Sequence, residues 1–310
     1  MREIRGAANP LHCVADPSLK GDAHAAAAMR AALQSFASAA AGGALTLHLP
    51  QRLGEPEARG DGHFHLAPEL FLQESGWTEF RFGSRTCRVR AREAIVIPPQ
   101  LRHVERVGPD GRAAAQAFRN LVVFAEGPML RCHVALEREA GKPAVAHLQA
   151  HRHAQAQKVH DWLCDASRLG VGDAWAQLQA RALVAAAVTG VLRAIDEGAE
   201  SAGHEPTLVA RVRVLIHNQL GDAMLSVKRL AEQSGCSADH LSHVFHQASG
   251  EHLVGCINRL RMERAARLLR ETSLSGKEVA WACGFAAPSY FIRVFRQHHG
   301  MTPQAWRAAA

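Results

Sequence analysis

Apolar positions change their period twice along the chain. Residues 22–41 are alanine-rich, with Met29, Leu33 and Phe36 at helical spacing, which predicts a helix. From residue 44 to about 148 the period shortens. LTLHL, ELFLQE, TEFRF, TCRVR, AIVIP, LRHVERV, LVVFA and CHVAL alternate or run apolar, separated by Gly, Pro, Asp and Ser. Short strands at this spacing predict a β-sandwich or small barrel. Residues 151–169 and 172–197 return to the helical period. One stripe is Val159, Trp162, Leu163 and Ala166; the other is Leu178, Leu183, Val188, Val191, Leu192 and Ile195. Residues 197–205, EGAESAGHE, are small and polar, the composition of a linker. Pro206 then suits a first helical position.

The last stretch, residues 225–300, contains one unit twice: LSVKRLAEQSGCSADHLSHVFHQASG and LSGKEVAWACGFAAPSYFIRVFRQHHG. Each copy reads helix, tight turn, helix. Ser226 and Ser275 stand at N-cap positions, with Glu278 three residues on, a capping-box spacing. Gly235 and Gly284 mark the turns, where glycine tolerates positive φ. Ser237 and Pro288 open the second helices. Leu241, Val244, Phe245 and Phe291, Val294, Phe295 form inward faces; Asp239, His240, Ser242, His243, His246 and Ser289, Tyr290, Arg293, Arg296 point outward. Short, polar groups on a protruding helix suit base edges in a major groove.

CSADHLSHVF, INRLRMERAARLL, KEVAWACGF and SYFIRVFRQHHGMTPQAWR together resemble the DNA-binding domain of the AraC/XylS family of bacterial transcription regulators. The resemblance covers about the last hundred residues. It implies seven helices, with two helix-turn-helix subdomains joined by a long helix over residues 251–271. It also implies second helices that enter successive major grooves of double-stranded DNA, one helical turn apart. Carried over by position, the base readers are Asp239, Ser242 and His243 in the first copy and Ser289, Tyr290 and Arg293 in the second. His243 and His246 depart from the Arg or Lys common there, and Asp239 brings a negative charge to the groove. RNA polymerase is a further partner implied by the resemblance.

Charge agrees with this. Residues 205–310 carry 13 Lys and Arg against 8 Asp and Glu, so +5 of the chain's net +7 lies in the part proposed to meet phosphates. The seven cysteines (Cys13, Cys87, Cys132, Cys164, Cys236, Cys256 and Cys283) are scattered without a CxxC pair, which points to a reducing compartment rather than a disulfide framework. The first twenty residues lack a signal-peptide core, and no apolar run approaches the roughly 20 residues of a membrane span. A cytoplasmic protein with no membrane partner is expected.

A second constellation lies among the strands. His63 and His65 are two apart, so in a strand both face one way; Glu69 follows, and His103 comes after Pro98-Pro99 on a neighbouring run. HxHxxxE followed by Pro-Pro and a third histidine resembles the two motifs of the cupin barrel, whose metal sites use three His and one Glu. Imidazole and carboxylate suit Zn, Fe, Mn or Ni. The other reading is a metal-free pocket for an organic effector, with Phe64, Trp77 and Phe80 as candidate walls; aromatics there are also the ordinary content of a core.

The fold class expected is α+β: an N-terminal cupin-like barrel (1–150), a helical pair (151–198), a linker (199–205) and an all-α DNA-binding domain (206–310). In the family the helical pair packs antiparallel and dimerises, so a homodimer is implied; the alternative is that its apolar stripes cover the barrel of the same subunit. The function expected is a sequence-specific DNA-binding regulator, not an enzyme, controlled by a small-molecule or metal effector. The alternatives are a metal-dependent cupin enzyme, an oxygenase or isomerase, tethered to a DNA-binding module, and a metal-sensing regulator.

Overall fold

A computed structural model describes residues 19–309 except 53, 55, 112–116, 170–171 and 199–205. The first eighteen residues and the 199–205 linker therefore lie outside the described residues. The N-terminal part runs α1 (Leu19–Ala41), β1 (Thr46–His48), β2 (Glu69–Ser75), β3 (Trp77–Phe82), β4 (Arg85–Arg90), β5 (Glu93–Ile97), β6 (Val104–Gly108), β7 (Arg119–Glu126), β8 (Met129–Glu139), β9 (Lys142–Arg152), α2 (Gln155–Leu169) and α3 (Ala174–Gly198). The C-terminal part is helical: α4 (Thr207–Gln219), α5 (Val227–Ser234), α6 (Ala238–Ser249), α7 (Leu253–Glu271), α8 (Gly276–Ala282), α9 (Pro288–His299) and α10 (Pro303–Ala308). Among the described residues these are the seven helices expected there.

The strands form a six-stranded sheet, β1-β5-β2-β7-β8-β9, and a three-stranded sheet, β4-β3-β6. The expected mixed α+β character is present, but among the described residues the strands do not close into a barrel. β9 departs from the sequence reading. It pairs with β8 as far as Met129 and Arg152, so the chain is extended through residues expected to start a helix. The helix begins only after His153, whose Nδ1 accepts from the Gln155 amide.

Alternation along the large sheet sends its two faces to different partners. Leu70, Leu72, Leu121, Val123, Leu130, Cys132 and Val134 pack against α1, α2 and α3 in one core. The stripes of the helical pair are mostly spent here: Val159, Leu163, Val188 and Val191 are buried within the same chain. By length and composition α3 is apolar enough to cross a membrane, contrary to the sequence reading, yet Ala180, Val184, Ala187, Val191 and Ala194 are buried in this core. Trp175 and Leu178, at the start of α3, remain exposed.

At the sheet edge, His48 Nε2 lies 2.8 Å from Glu93 Oε2. A hydrogen bond with Cys87, and then Glu93, outweigh burial and raise the His48 imidazole to about 9. A raised folded-state value contributes stability that is complete below the unfolded value near 6.5 and is lost as pH rises through about 9. Urea unfolding from about pH 6 to about pH 10 should show this decline, and His48→Gln should flatten it.

In the C-terminal part the repeat reappears as local chemistry. Ser226, Ser237 and Ser275 each cap a helix by accepting a backbone N–H, and Ser275 with Glu278 completes a capping box. Gly235 and Gly284 have φ of 72° and 76°, values that side chains with a Cβ rarely adopt. Pro288 opens α9. Leu241, Phe245, Phe291 and Phe295 are fully buried at matching positions of the two copies.

Candidate nucleic-acid interface and metal centre

The second helix of each repeat presents its polar face outward. On α6, Asp239, His240, His243 and His246 are exposed, and Ser242 is half-buried with its hydroxyl donating to Ala238 O at 2.8 Å. On α9, Ser289, Tyr290, Arg293 and Arg296 are exposed, and the Arg293 guanidinium lies 5.1 Å from the Tyr290 ring centre. Five of the six expected base readers are thus exposed on helices held by buried phenylalanines, and Ser242 is half-buried with its hydroxyl turned to its own helix backbone. The charge balance of this part needs a finer division than the sequence allowed. Arg261 donates to Leu220 O and Asp222 O, Arg307 to Leu269 O, and Arg264 to Phe64 O. Arg261 and Arg307 are thus engaged with carbonyls of their own domain, and Arg264 with one of the N-terminal part.

The histidine cluster forms where β2, β6 and the segment before β2 meet. Gly62 has φ +82°, and a Cβ there would fall 2.0 Å from His103 O; only glycine lets the chain run this close. His63 and His103 then exchange both backbone hydrogen bonds, at 3.0 and 2.9 Å. The imidazole donor atoms of His63, His65 and His103 all lie within 4.8 Å of one another. Glu69 Oε1 is 3.4 Å from His65 Nε2, and Glu69 Oε2 is 3.8 Å from His103 Nε2. All four expected residues therefore converge. Glu105 joins them, its Oε1 3.7 Å from His103 Nε2 and 4.0 Å from His63 Nε2. The sequence reading missed it, although its place two residues after His103 in a strand puts it on the same face.

The chemistry of the cluster fits a cation. His65 Nε2, Glu69 Oε2 and His103 Nε2 are buried without a hydrogen-bond partner, an arrangement native interiors rarely leave unexplained. His103 Nδ1 sits 3.0 Å from Leu101 O, and a carbonyl can only accept, so Nδ1 donates. In the neutral ring that leaves the Nε2 lone pair facing the cluster, as outer hydrogen bonds do for metal-binding histidines. Burial holds His63 and His65 well below the usual imidazole range, so both are neutral donors. Burial pushes Glu69 up to about 8. Burial alone would lower His103, but Glu105 and Glu69 hold it above its ordinary value. Donors bound to one ion at about 2.0–2.1 Å stand roughly 3–4 Å apart, so the cluster needs only a small contraction.

The three aromatics considered as pocket walls do not share a cavity. Phe80 is in the core between the sheets with Phe71 and Phe82. Trp77 is under the Arg88 guanidinium and donates to Pro109 O. Phe64, fully buried, belongs to the core of the C-terminal domain with Met262, Ala265 and Val279. Arg264 lies 3.8 Å above its ring, and Arg267 donates to Leu66 O at 3.1 Å. Phe64 is the residue between the two clustered histidines, and it reaches the other domain. A cavity of about 120 Å³ separates His65 and Glu69 from His217, Arg264 and Arg267.

Comparison with known proteins bears on the C-terminal part. Residues 230–309 match the helix-turn-helix domain family. The chain is 30% identical over 131 residues to the "Uncharacterized HTH-type transcriptional regulator YijO" of Escherichia coli K12, covering 42% of this chain and 46% of that protein. It is 30% identical over 83 residues to the "Probable transcription factor PqrA" of Proteus vulgaris, covering 27% of this chain and 68% of that one. A solved transcriptional regulator from Chromobacterium violaceum, described as having an AraC-type DNA-binding domain, is 29% identical, covering 33% of this chain and 89% of that one with a TM-score of 0.30. The chain spans less than half the length of the first relatives it matches. Through its repeated helix-turn-helix unit, the chain belongs to the AraC-type family of helix-turn-helix transcriptional regulators.

Proposed function

We propose that the chain is a cytoplasmic transcription regulator that binds double-stranded DNA through α6 and α9 and is controlled by a divalent transition metal in its cupin-like N-terminal domain. His63, His65, Glu69 and His103 would hold the ion, with Glu105 beside them; bound there, it would supply the positive charge the converging donors lack. Asp239, Ser242, His243, Ser289, Tyr290 and Arg293 are the base-reading set. The observation that carries the sensor reading is the convergence of unpartnered, buried His65 Nε2, Glu69 Oε2 and His103 Nε2 on one place. Phe64 supports its coupling to DNA. Ligation of His63 and His65 would fix the backbone on either side of Phe64, whose ring is packed into the core of the DNA-binding domain. An ion acts as an effector only if it binds two arrangements unequally, and ligands that flank a residue packed into the other domain supply such a difference. A homodimer belongs to this reading, with exposed Trp175 and Leu178 as the apolar surface available for it. RNA polymerase is the further partner this reading assigns.

The test is metal content by elemental analysis of the purified chain after exposure to zinc, iron, manganese or nickel. Near one equivalent in the wild type and none in His103→Ala is the expected result. Equal, non-stoichiometric metal in both would overturn the metal reading and leave the DNA-binding reading standing.

A further inference from the structure

The inner face of the large sheet contains a polar pair that neither the fold nor the histidine cluster uses. In the strand register Phe71 faces Val122 and Gln73 faces Asn120 across β2 and β7, while Val122 faces His133 across β7 and β8. These residues share the face turned away from the helices. Asn120 is fully buried, yet neither its Oδ1 nor its Nδ2 has a partner; His133 is 6% exposed, and its Nδ1 has none. Its cross-strand neighbour shows what a structural carboxamide looks like here. Gln73 is equally buried, but its Nε2 donates to Ser75 O and its Oε1 accepts from the Thr78 hydroxyl, both at 2.7 Å. The fold satisfies one buried carboxamide and leaves the one opposite open.

Asn120 and His133 line a cavity of about 330 Å³. Its apolar wall includes Phe71, Val122 and Val145, and at one end it reaches His63, Glu69 and Glu105. The volume is at the small end of the range for organic-ligand sites, and an apolar pocket with a few fixed polar anchors is their usual form. Burial holds the His133 imidazole down to about 4, so it is a neutral hydrogen-bonding group. An unpaired carboxamide in such a place is costly unless something binds it.

We infer that this cavity binds a small, neutral organic molecule. One end of it offers a donor and an acceptor on neighbouring atoms, as a primary amide does, to Asn120 and His133, and its apolar body lies against Phe71, Val122 and Val145. This rests on reading the N-terminal domain as the sensing part, but not on the metal: the polar pair lies on β7 and β8, apart from the four proposed ligands.

The probe is benzamide, with toluene as the apolar control of similar size, titrated calorimetrically into the full chain. Titration after chelator treatment and again with zinc separates this site from the metal site: benzamide binding with no metal uptake sinks only the metal reading, and metal uptake with no benzamide binding sinks only this one. Wild type should bind benzamide saturably at one per chain, and toluene at least about tenfold more weakly, because toluene leaves the polar pair unsatisfied. Asn120→Leu should lose at least about tenfold in benzamide affinity while unfolding at the same or a higher temperature, since it removes a buried, unpaired group. If that variant fails to fold, Asn120→Ala makes the same comparison. Failure of the wild type to bind benzamide, toluene binding as tightly, or undiminished affinity in the folded variant each overturns the inference and leaves the cavity to water.

Discussion

Phe64→Ala should uncouple the two domains while leaving the histidine cluster able to take up metal. The ring is fully buried and shared: its backbone carries His63 and His65 on either side, and its side chain packs with Met262, Ala265 and Val279 beneath Arg264. Truncating a buried phenylalanine typically costs about 3–5 kcal/mol. Each domain retains its main core, so the loss should fall on the docking of one domain against the other. Arg264, whose guanidinium donates to Phe64 O and whose Nε is unpartnered, would lose its covering ring. Unfolding monitored by tryptophan fluorescence should separate into two steps in the variant. DNA affinity should stop responding to metal, with metal uptake retained. A single cooperative transition as stable as the wild type would show that Phe64 is not the link.

Arg293→Ala should reduce binding to the preferred DNA sequence by about 1–3 kcal/mol and relax the preference at one base pair. Arg293 is exposed on α9, one turn beyond its start, and its side chain lies beside Tyr290 rather than in an ion pair with a carboxylate. A guanidinium so placed can pair with guanine through two hydrogen bonds. Binding competition against random-sequence DNA checks this. If specific and non-specific affinities fall together, Arg293 contacts phosphate and another residue on α9 reads the base.

Local chemistry made the C-terminal half legible. Capping serines, a capping box, positive-φ glycines and a proline at the start of α9 act within a few residues, so the repeat in sequence becomes the repeat in structure. His63, His65, Glu69 and His103 were legible because their residue types are rarely brought together without a reason, and the fold does bring them together. What was not legible depends on tertiary partners. Nothing in the pattern ARLL says that Arg267 ties α7 to Leu66 of the other domain, nor that Arg264 is buried against Phe64. The same holds for α1, which covers the sheet, and for Asn120 and His133, which look like ordinary polar positions until the strand register turns them inward. Phe64 carried a usable signal: lying between two histidines that share a face, it had to face the other way.

The measurement that bears most directly on the account is the affinity of the full chain for DNA selected by that same protein, in metal-free and metal-loaded forms. The coupling between the sites should change that affinity by at least about fivefold in the wild type. His103→Ala and Phe64→Ala should show no such change. A wild type that takes up one equivalent of metal and binds the selected DNA identically with and without it would contradict the account.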